Sequence, residues 1–216
     1  MTTTAGLQIV DAQPKHAPFI AWVILTAFRS HLEKGVWDFM RPGTDEELLR
    51  YLETLTTTKA PHWAHLSLFI VAEVDGVPAA ALSGYFDEEH GGPRLREGMA
   101  EADAATGTVS EPEAIAQALT VLNVMPEHTA RAWIIEDVAT RPEYRRRGLV
   151  DALMHEIMER GRMRGATTSD ISVFIGNDSA QRAYEKAGYI MVDEKRHPDF
   201  EAVYKTPGIR TLRRTL

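Results

Sequence analysis

The sequence predicts an α/β fold: a mixed, mostly antiparallel sheet of six or seven strands with helices on both faces. Two β-rich runs, 66–74 and 77–85, are separated by Asp75-Gly76, turn chemistry that favours a tight hairpin and hence an antiparallel pair. Further on, a strand at 131–140, an amphipathic helix and an alternating strand at Ile171, Val173 and Ile175 follow in β-α-β order. With 216 residues, 44% hydrophobic and 25% charged, the chain can bury a core as a single domain spanning 1–216.

In chain order, a short strand is expected at 7–10, followed by a helical region over 14–32, with Pro14 or Pro18 suited to a helix start. A second helix begins at Thr44 or Asp45. There Thr44 can cap, Glu46 and Glu47 complement the helix dipole, and Leu48, Leu49, Leu52 and Leu55 recur at helical spacing. After the hairpin the chain changes character. Residues 86–130 carry Gly91-Gly92-Pro93, an acidic cluster at Asp87, Glu88 and Glu89, and the capping sequence Ser110-Glu111-Pro112-Glu113, which reads as an insertion of two short helices on loops. Such an insertion exceeds the usual connection length, so a lid or an oligomer contact is expected of it.

The helix after Pro142 is amphipathic through Leu149, Leu153 and Ile157. The next one presents Ala180, Ala183, Tyr184 and Ala187 on one face and stops at Gly188. Two last short strands are expected at 189–192 and 200–204, and a short helix in the tail carrying Arg210, Arg213 and Arg214.

Charge and composition exclude several classes. Lys plus Arg number 24 against 31 Asp plus Glu, a formal net charge of −7, so the bulk field repels nucleic acid and anionic membranes, and neither is expected as a partner. The absence of cysteine removes disulfides, thiolate zinc sites and cysteine nucleophiles. The longest apolar stretch, 19–28, is too short to span a membrane, and no basic segment leads into an apolar run near Met1, so a cytoplasmic location is expected.

Chemistry concentrates where the strand at 131–140 turns through Arg145-Arg146-Arg147-Gly148-Leu149-Val150 into a helix. The first N–H groups of a helix lack intrahelical partners and, with the dipole, favour phosphate. The arginines add charge, and Gly148 permits close approach. The segment resembles the pyrophosphate loop Q/R-x-x-G-x-G/A of the GNAT superfamily of acyl-CoA-dependent N-acyltransferases, matching at Arg145 and Gly148 and departing at Val150. A second match lies about 30 residues downstream: the run from Asn177 to Tyr189 resembles the family's N-x-x-A-x-x-x-Y-x-K-x-G-F/Y segment.

The resemblance implies a split between the two central strands that receives acetyl-CoA, the acyl donor, and direct transfer of its acetyl group to a primary amine. The pantetheine arm would pair with strand backbone around Val138 and Thr140, the loop of Arg145, Arg146, Arg147, Gly148, Leu149 and Val150 would hold the diphosphate, and Asn177 would contact the donor near the pantetheine. Tyr184 would be the general acid for the departing thiolate.

The chemistry itself asks for a base for the ammonium and a donor for the tetrahedral oxyanion. The Val138 N–H is the economical donor. Glu136 and Asp137 are adjacent on a strand and point to opposite faces, so one of them can line the cleft, and Glu136 is chosen as the base.

A small-molecule or peptide amine is the expected partner, and a homodimer is compatible. A non-catalytic acyl-CoA-binding or sensing module, or a transferase for a longer acyl-CoA, remains an alternative. His62-x-x-His65 lacks a third ligand at helical spacing, so no metal is expected and these are read as surface or substrate-pocket histidines. Trp37, Phe39, Trp63 and Tyr85 are candidate walls of an acceptor pocket.

Overall fold

A computed structural model describes residues 6–109 and 111–216; Ser110 of the expected capping sequence and most of the N-terminal stretch at 1–6 lie outside it. The strands are β1 (Leu7–Asp11), β2 (Phe69–Val74), β3 (Val77–Phe86), β4 (Trp133–Thr140), β5 (Thr168–Phe174), β6 (Ile190–Arg196) and β7 (Gly208–Thr215). They form one sheet in the order β1-β2-β3-β4-β5-β7-β6. Every neighbouring pair is antiparallel except β4 and β5.

The hairpin is closed as its turn residues dictate: Val74 pairs with Val77, and both Asp75 and Gly76 have positive φ, 52° and 79°. One face of the sheet is covered by α1 (Ala17–Arg29) and α3 (Asp45–Thr56), whose apolar sides join Phe69, Val71 and Ala81 in one core. Thr44 caps α3, with its hydroxyl accepting the Glu47 N–H at 3.2 Å while Glu47 reaches back to the Thr44 N–H at 2.8 Å.

The opposite face is covered by α7 (Leu149–Met163) and α8 (Asp178–Lys186) around Leu82, Trp133, Ile135 and Ile171. α7 approaches closely because Gly84 leaves room: a Cβ there would lie 2.6 Å from Ile157 and 2.7 Å from the Trp133 ring nitrogen. A third core, of Val36, Val124, Phe200, Tyr204 and Ile209, joins α2 (Val36–Met40) to α9 (Pro198–Tyr204).

Two expectations near the C-terminus are corrected. Residues 200–204 form part of helix α9, not a strand. Pro198 opens it, the His197 side chain caps the Asp199 N–H, and Phe200 and Tyr204, one turn apart, stack at 4.6 Å on the buried side. The tail is strand β7, not a helix. It enters between β5 and β6, where Arg213 reaches the buried Asp170 and Arg210 reaches Glu194, so the arginines that suggested a solvated helix are anchored in the sheet. The helix α2 was not anticipated.

The insertion is fuller than two helices. It comprises α4 (Asp87–His90), α5 (Gly92–Thr106) and α6 (Pro112–Leu119) with a 3-10 turn to Val124. It is docked at both ends. Arg41 holds Asp103 of α5 at 2.7 Å, and Tyr204 donates to the Ala118 carbonyl at 3.0 Å. His62, expected as a surface or substrate-pocket histidine, is wholly buried beneath it, with its ring within hydrogen-bond distance of the Thr58 hydroxyl, the Leu55 carbonyl and the Ala64 N–H. Burial pushes its pKa down to about 4, so it is a neutral core residue at ordinary pH. Among the described residues no group of three or more potential metal ligands forms, and no helix is long and apolar enough to cross a membrane.

Candidate active site

β4 and β5 run side by side for only three register pairs, Trp133 with Ser169, Ile134 with Asp170 and Ile135 with Ile171. Beyond Ile135 the two strands have no further register pairs. β4 continues from Glu136 to Thr140 against β3 alone, and β5 from Ser172 to Phe174 against β7 alone. In β4 the register slips as well. Ser83 faces Glu136 and Ala81 faces Ala139, so Leu82 stands opposite both Asp137 and Val138, a bulge that puts Asp137 at φ 56°. Neither Asp137 nor Val138 has a register partner on either neighbouring strand.

The splayed segments hold unsatisfied polar groups. Both carboxyl oxygens of Asp137, the Thr140 hydroxyl and the Ser172 hydroxyl are buried without a hydrogen-bond partner. Such groups each cost roughly 1–3 kcal/mol unless something polar meets them, and here they line the strands that part.

Glu136 and Asp137 flank this split in different settings. Tyr85 donates a hydrogen bond to Glu136 at 2.8 Å on the face shared with α1 and α3. Burial raises the Glu136 pKa, and the Tyr85 bond offsets part of that rise by favouring the ionised form. Asp137 has no such donor, and burial together with the neighbouring Glu136 charge raises its pKa well above the usual aspartate range. Of the two, Glu136 is the one equipped to carry the charge.

Tyr184 of α8 lies on the other face, in the core with Leu149 and Leu153. Its hydroxyl pKa is raised by burial, by Tyr189 and by the Asp137 charge. Tyr189 is itself pushed up to about 12 by burial and bonds Ser169 at 2.7 Å.

Past Thr140 the chain turns through Pro142–Tyr144 and a loop with Arg146 at φ 62° and Gly148 at φ 75°. Gly148 is the N-cap of α7 and leaves its first N–H groups without a side-chain cap. Around the missing Cβ of Gly148 there is nothing within 4 Å, so the glycine serves the left-handed turn rather than a packing contact. Arg145, Arg146 and Arg147 are exposed. Arg145 reaches the Thr140 carbonyl at 3.4 Å, and Arg147 lies over the Tyr144 ring at 5.0 Å. Leu149 and Val150 face inward, with Leu149 in the core and Val150 packed against it. The result is an open, cationic helix start at the mouth of the split.

Asn177 caps α8: its side-chain oxygen accepts the Ala180 N–H at 3.2 Å, and its amide donates to Ser30 at the end of α1 at 2.6 Å. Of the proposed pocket walls, Tyr85 adjoins Glu136. Trp37 is core, Trp63 packs against Phe28 and Trp37, and Phe39 packs on Tyr204. His128 pairs with Asp170 at 3.2 Å next to the closed end of the split, a partnership that no local sequence pattern signals because the two are far apart in the chain.

The chain and its fold have counterparts. The family model of the Acetyltransferase (GNAT) family matches residues 34–189. The chain belongs to the GNAT acetyltransferase family. No curated protein matches its sequence. Among solved structures the chain is similar to an N-acetyltransferase from Staphylococcus aureus Mu50, at 21% identity and TM-score 0.63, covering 96% of this chain and 100% of that one. It is also similar to a polyamine N-acetyltransferase from Drosophila melanogaster that catalyses the formation of N-acetylagmatine (15%, TM-score 0.58, 97% and 100%). A third is a putative acetyltransferase from Salmonella typhimurium with its cofactor acetyl-CoA (12%, TM-score 0.54, 98% and 94%). These likenesses are of fold. In this GNAT acetyltransferase the split between β4 and β5 and the uncapped start of α7 form one continuous feature.

Proposed function

We propose that this GNAT acetyltransferase uses acetyl-CoA as donor and transfers its acetyl group directly to a primary amine. The observation that carries the proposal is the split itself. Two parallel strands part after three pairs, leave buried polar groups without partners, and end at a cationic helix start with free N–H groups. A long ligand with amides in its arm and a diphosphate at its end suits both halves.

In this reading Arg145, Arg146, Arg147 and Gly148, with the N–H groups of Leu149 and Val150, hold the diphosphate, and the β4 backbone at Val138 and Thr140 pairs with the arm. Asn177, at the cap of α8, contacts the donor near the pantetheine. Glu136, ionised through the Tyr85 bond, takes the proton from the incoming ammonium. The amine nitrogen then bonds to the thioester carbon, the oxyanion is met by the Val138 N–H, and the carbon–sulfur bond breaks as Tyr184 gives its proton to the thiolate; the second proton lost from the nitrogen as the amide forms replaces the one Tyr184 gave, and Glu136 releases its own to solvent. The acceptor approaches from the face of Glu136 and Tyr85, and the donor lies toward Tyr184.

The test is a calorimetric titration with acetyl-CoA and with CoA, for the native chain and for Arg145→Ala/Arg147→Ala, followed by an amine screen that detects released thiol. Micromolar binding weakened about tenfold or more in the variant, together with turnover on an amine, is expected for two lost charge-assisted phosphate contacts. Binding with no turnover on any amine would make the chain a donor-binding module, and no binding would remove the proposal.

A further inference from the structure

Asp137 is the most unusual residue of the split. It is 5% exposed, it adopts a left-handed backbone at the bulge, and neither carboxyl oxygen has a partner. The bulge explains why it faces its neighbours at all, since the extra residue in β4 re-aims the side chain relative to Glu136. Glu136 looks to Tyr85 of β3 on one face; Asp137 follows it onto the opposite face, where Ile135 and Val138 pack in the core that also holds Tyr184 of α8. Glu136 is the charge that acts on Asp137, and no cation or hydrogen-bond donor meets its carboxyl among the described residues.

We propose that Asp137 is a further catalytic residue for acyl transfer: an uncharged carboxylic acid whose O–H is offered to the sulfur side of the split and whose neutrality keeps Tyr184 able to donate. The inference rests on the acetyl-transfer reading above. Its physical logic is local. A second carboxylate beside Glu136, without a donor, carries the full cost of a buried charge, and protonation removes that cost. An anion at 137 would oppose the negative charge that develops on the leaving sulfur and would hold the Tyr184 proton more tightly. An acid in its place adds a donor where the charge appears. Tyr184 supplies the transferred proton, so Asp137 itself neither gains nor loses one during turnover.

The test compares Asp137→Asn with Asp137→Leu. Both remove the ionisable group, and only the amide keeps a donor. Asp137→Leu is expected to lower kcat by about tenfold or more with acetyl-CoA affinity unchanged, and Asp137→Asn to restore most of that loss, in line with the worth of a single donor at developing charge. The pH profile of kcat adds a readout that simple packing would not move: a fall at alkaline pH in the native chain, as Asp137 ionises, that is absent in Asp137→Asn. Equal activity of the Leu and Asn variants, or a loss in Asn as deep as in Leu, overturns the proposal.

A separate arm does not depend on donor binding. The folded state holds Asp137 protonated above the pH at which the unfolded chain releases that proton, so the native chain is penalised increasingly as pH rises from about 4. The Tm advantage of Asp137→Asn over the native chain must therefore grow with pH, and a constant difference overturns the uncharged state. If the native chain fails to bind acetyl-CoA while that advantage still grows, the acetyl-transfer reading has failed and the uncharged state of Asp137 has not.

Discussion

Tyr184 carries its hydroxyl into the apolar core beside Leu149 and Leu153. Burial and neighbouring groups raise its pKa, so the phenol stays protonated across the working range and is available as an acid. Tyr184→Phe is expected to lower turnover by about 100-fold while acetyl-CoA affinity changes little, a split read by thiol release against calorimetry. Glu136 carries the complementary expectation. If it is the base as proposed, its raised pKa is expected to place the acid limb of kcat above the ordinary glutamate value near 4.5, and Glu136→Gln should abolish that limb together with most of the activity. His62 belongs to stability rather than chemistry. Its folded pKa near 4 lies below the unfolded value of 6.5, so the stability it contributes is full above pH 6.5 and is lost as pH falls toward 4. The loss amounts to up to about 3 kcal/mol. Chemical denaturation of the native chain and His62→Gln across that window should show the slope in the first and a flatter profile in the second.

Among the elements, β7 depends on an electrostatic anchor. Burial opposes ionisation of Asp170, and the bonds from Arg213 at 2.7 and 2.8 Å and from His128 at 3.2 Å outweigh it, so the carboxyl is held below the usual aspartate range. Arg213→Ala would leave a buried carboxylate with one partner and should cost about 3 kcal/mol in urea unfolding at pH 7, less in acid as Asp170 protonates. The same anchor explains what the sequence did and did not disclose. The hairpin at Asp75-Gly76, α3 with its Thr44 cap, and the β4-loop-α7 unit announce themselves through local turn, cap and periodicity signals. The strand β7 does not, because its arginines are paired with residues about 16 to 43 positions away, a relation no local pattern carries. The helix α9 was legible in principle: Pro198 at its start and the one-turn spacing of Phe200 and Tyr204 are helical signals. The motif positions at Arg145, Gly148 and Tyr184 were legible from sequence, whereas the bulge at Asp137 was not, since it arises from the register between β3 and β4.

Taken whole, the molecule has its insertion built into its frame. α5 is held through Asp103 to Arg41, the residue that follows α2; α6 is held to α9 through Tyr204, and Val124 is fully buried. The insertion therefore forms a fixed wall on the α1–α3 face, the side from which the amine is proposed to arrive, and a freely swinging lid is not what these contacts describe. Asp103→Ala should loosen that wall and change the acceptor KM at least severalfold while leaving acetyl-CoA affinity intact; equal KM values would separate the insertion from acceptor selection. Ile115, Leu119 and Leu122 remain exposed on its outer side.

The three-rung join between β4 and β5 has a mechanical meaning. A seven-stranded sheet is stitched at its centre by the short stretch from Trp133 to Ile135, so the four strands on one side and the three on the other are leaves on a narrow spine. Any ligand whose own amides bridge the leaves past that spine acts as missing rungs. Occupancy of the split would then be felt as stiffening of the whole sheet, with slower amide exchange on both leaves and not only at the residues touched.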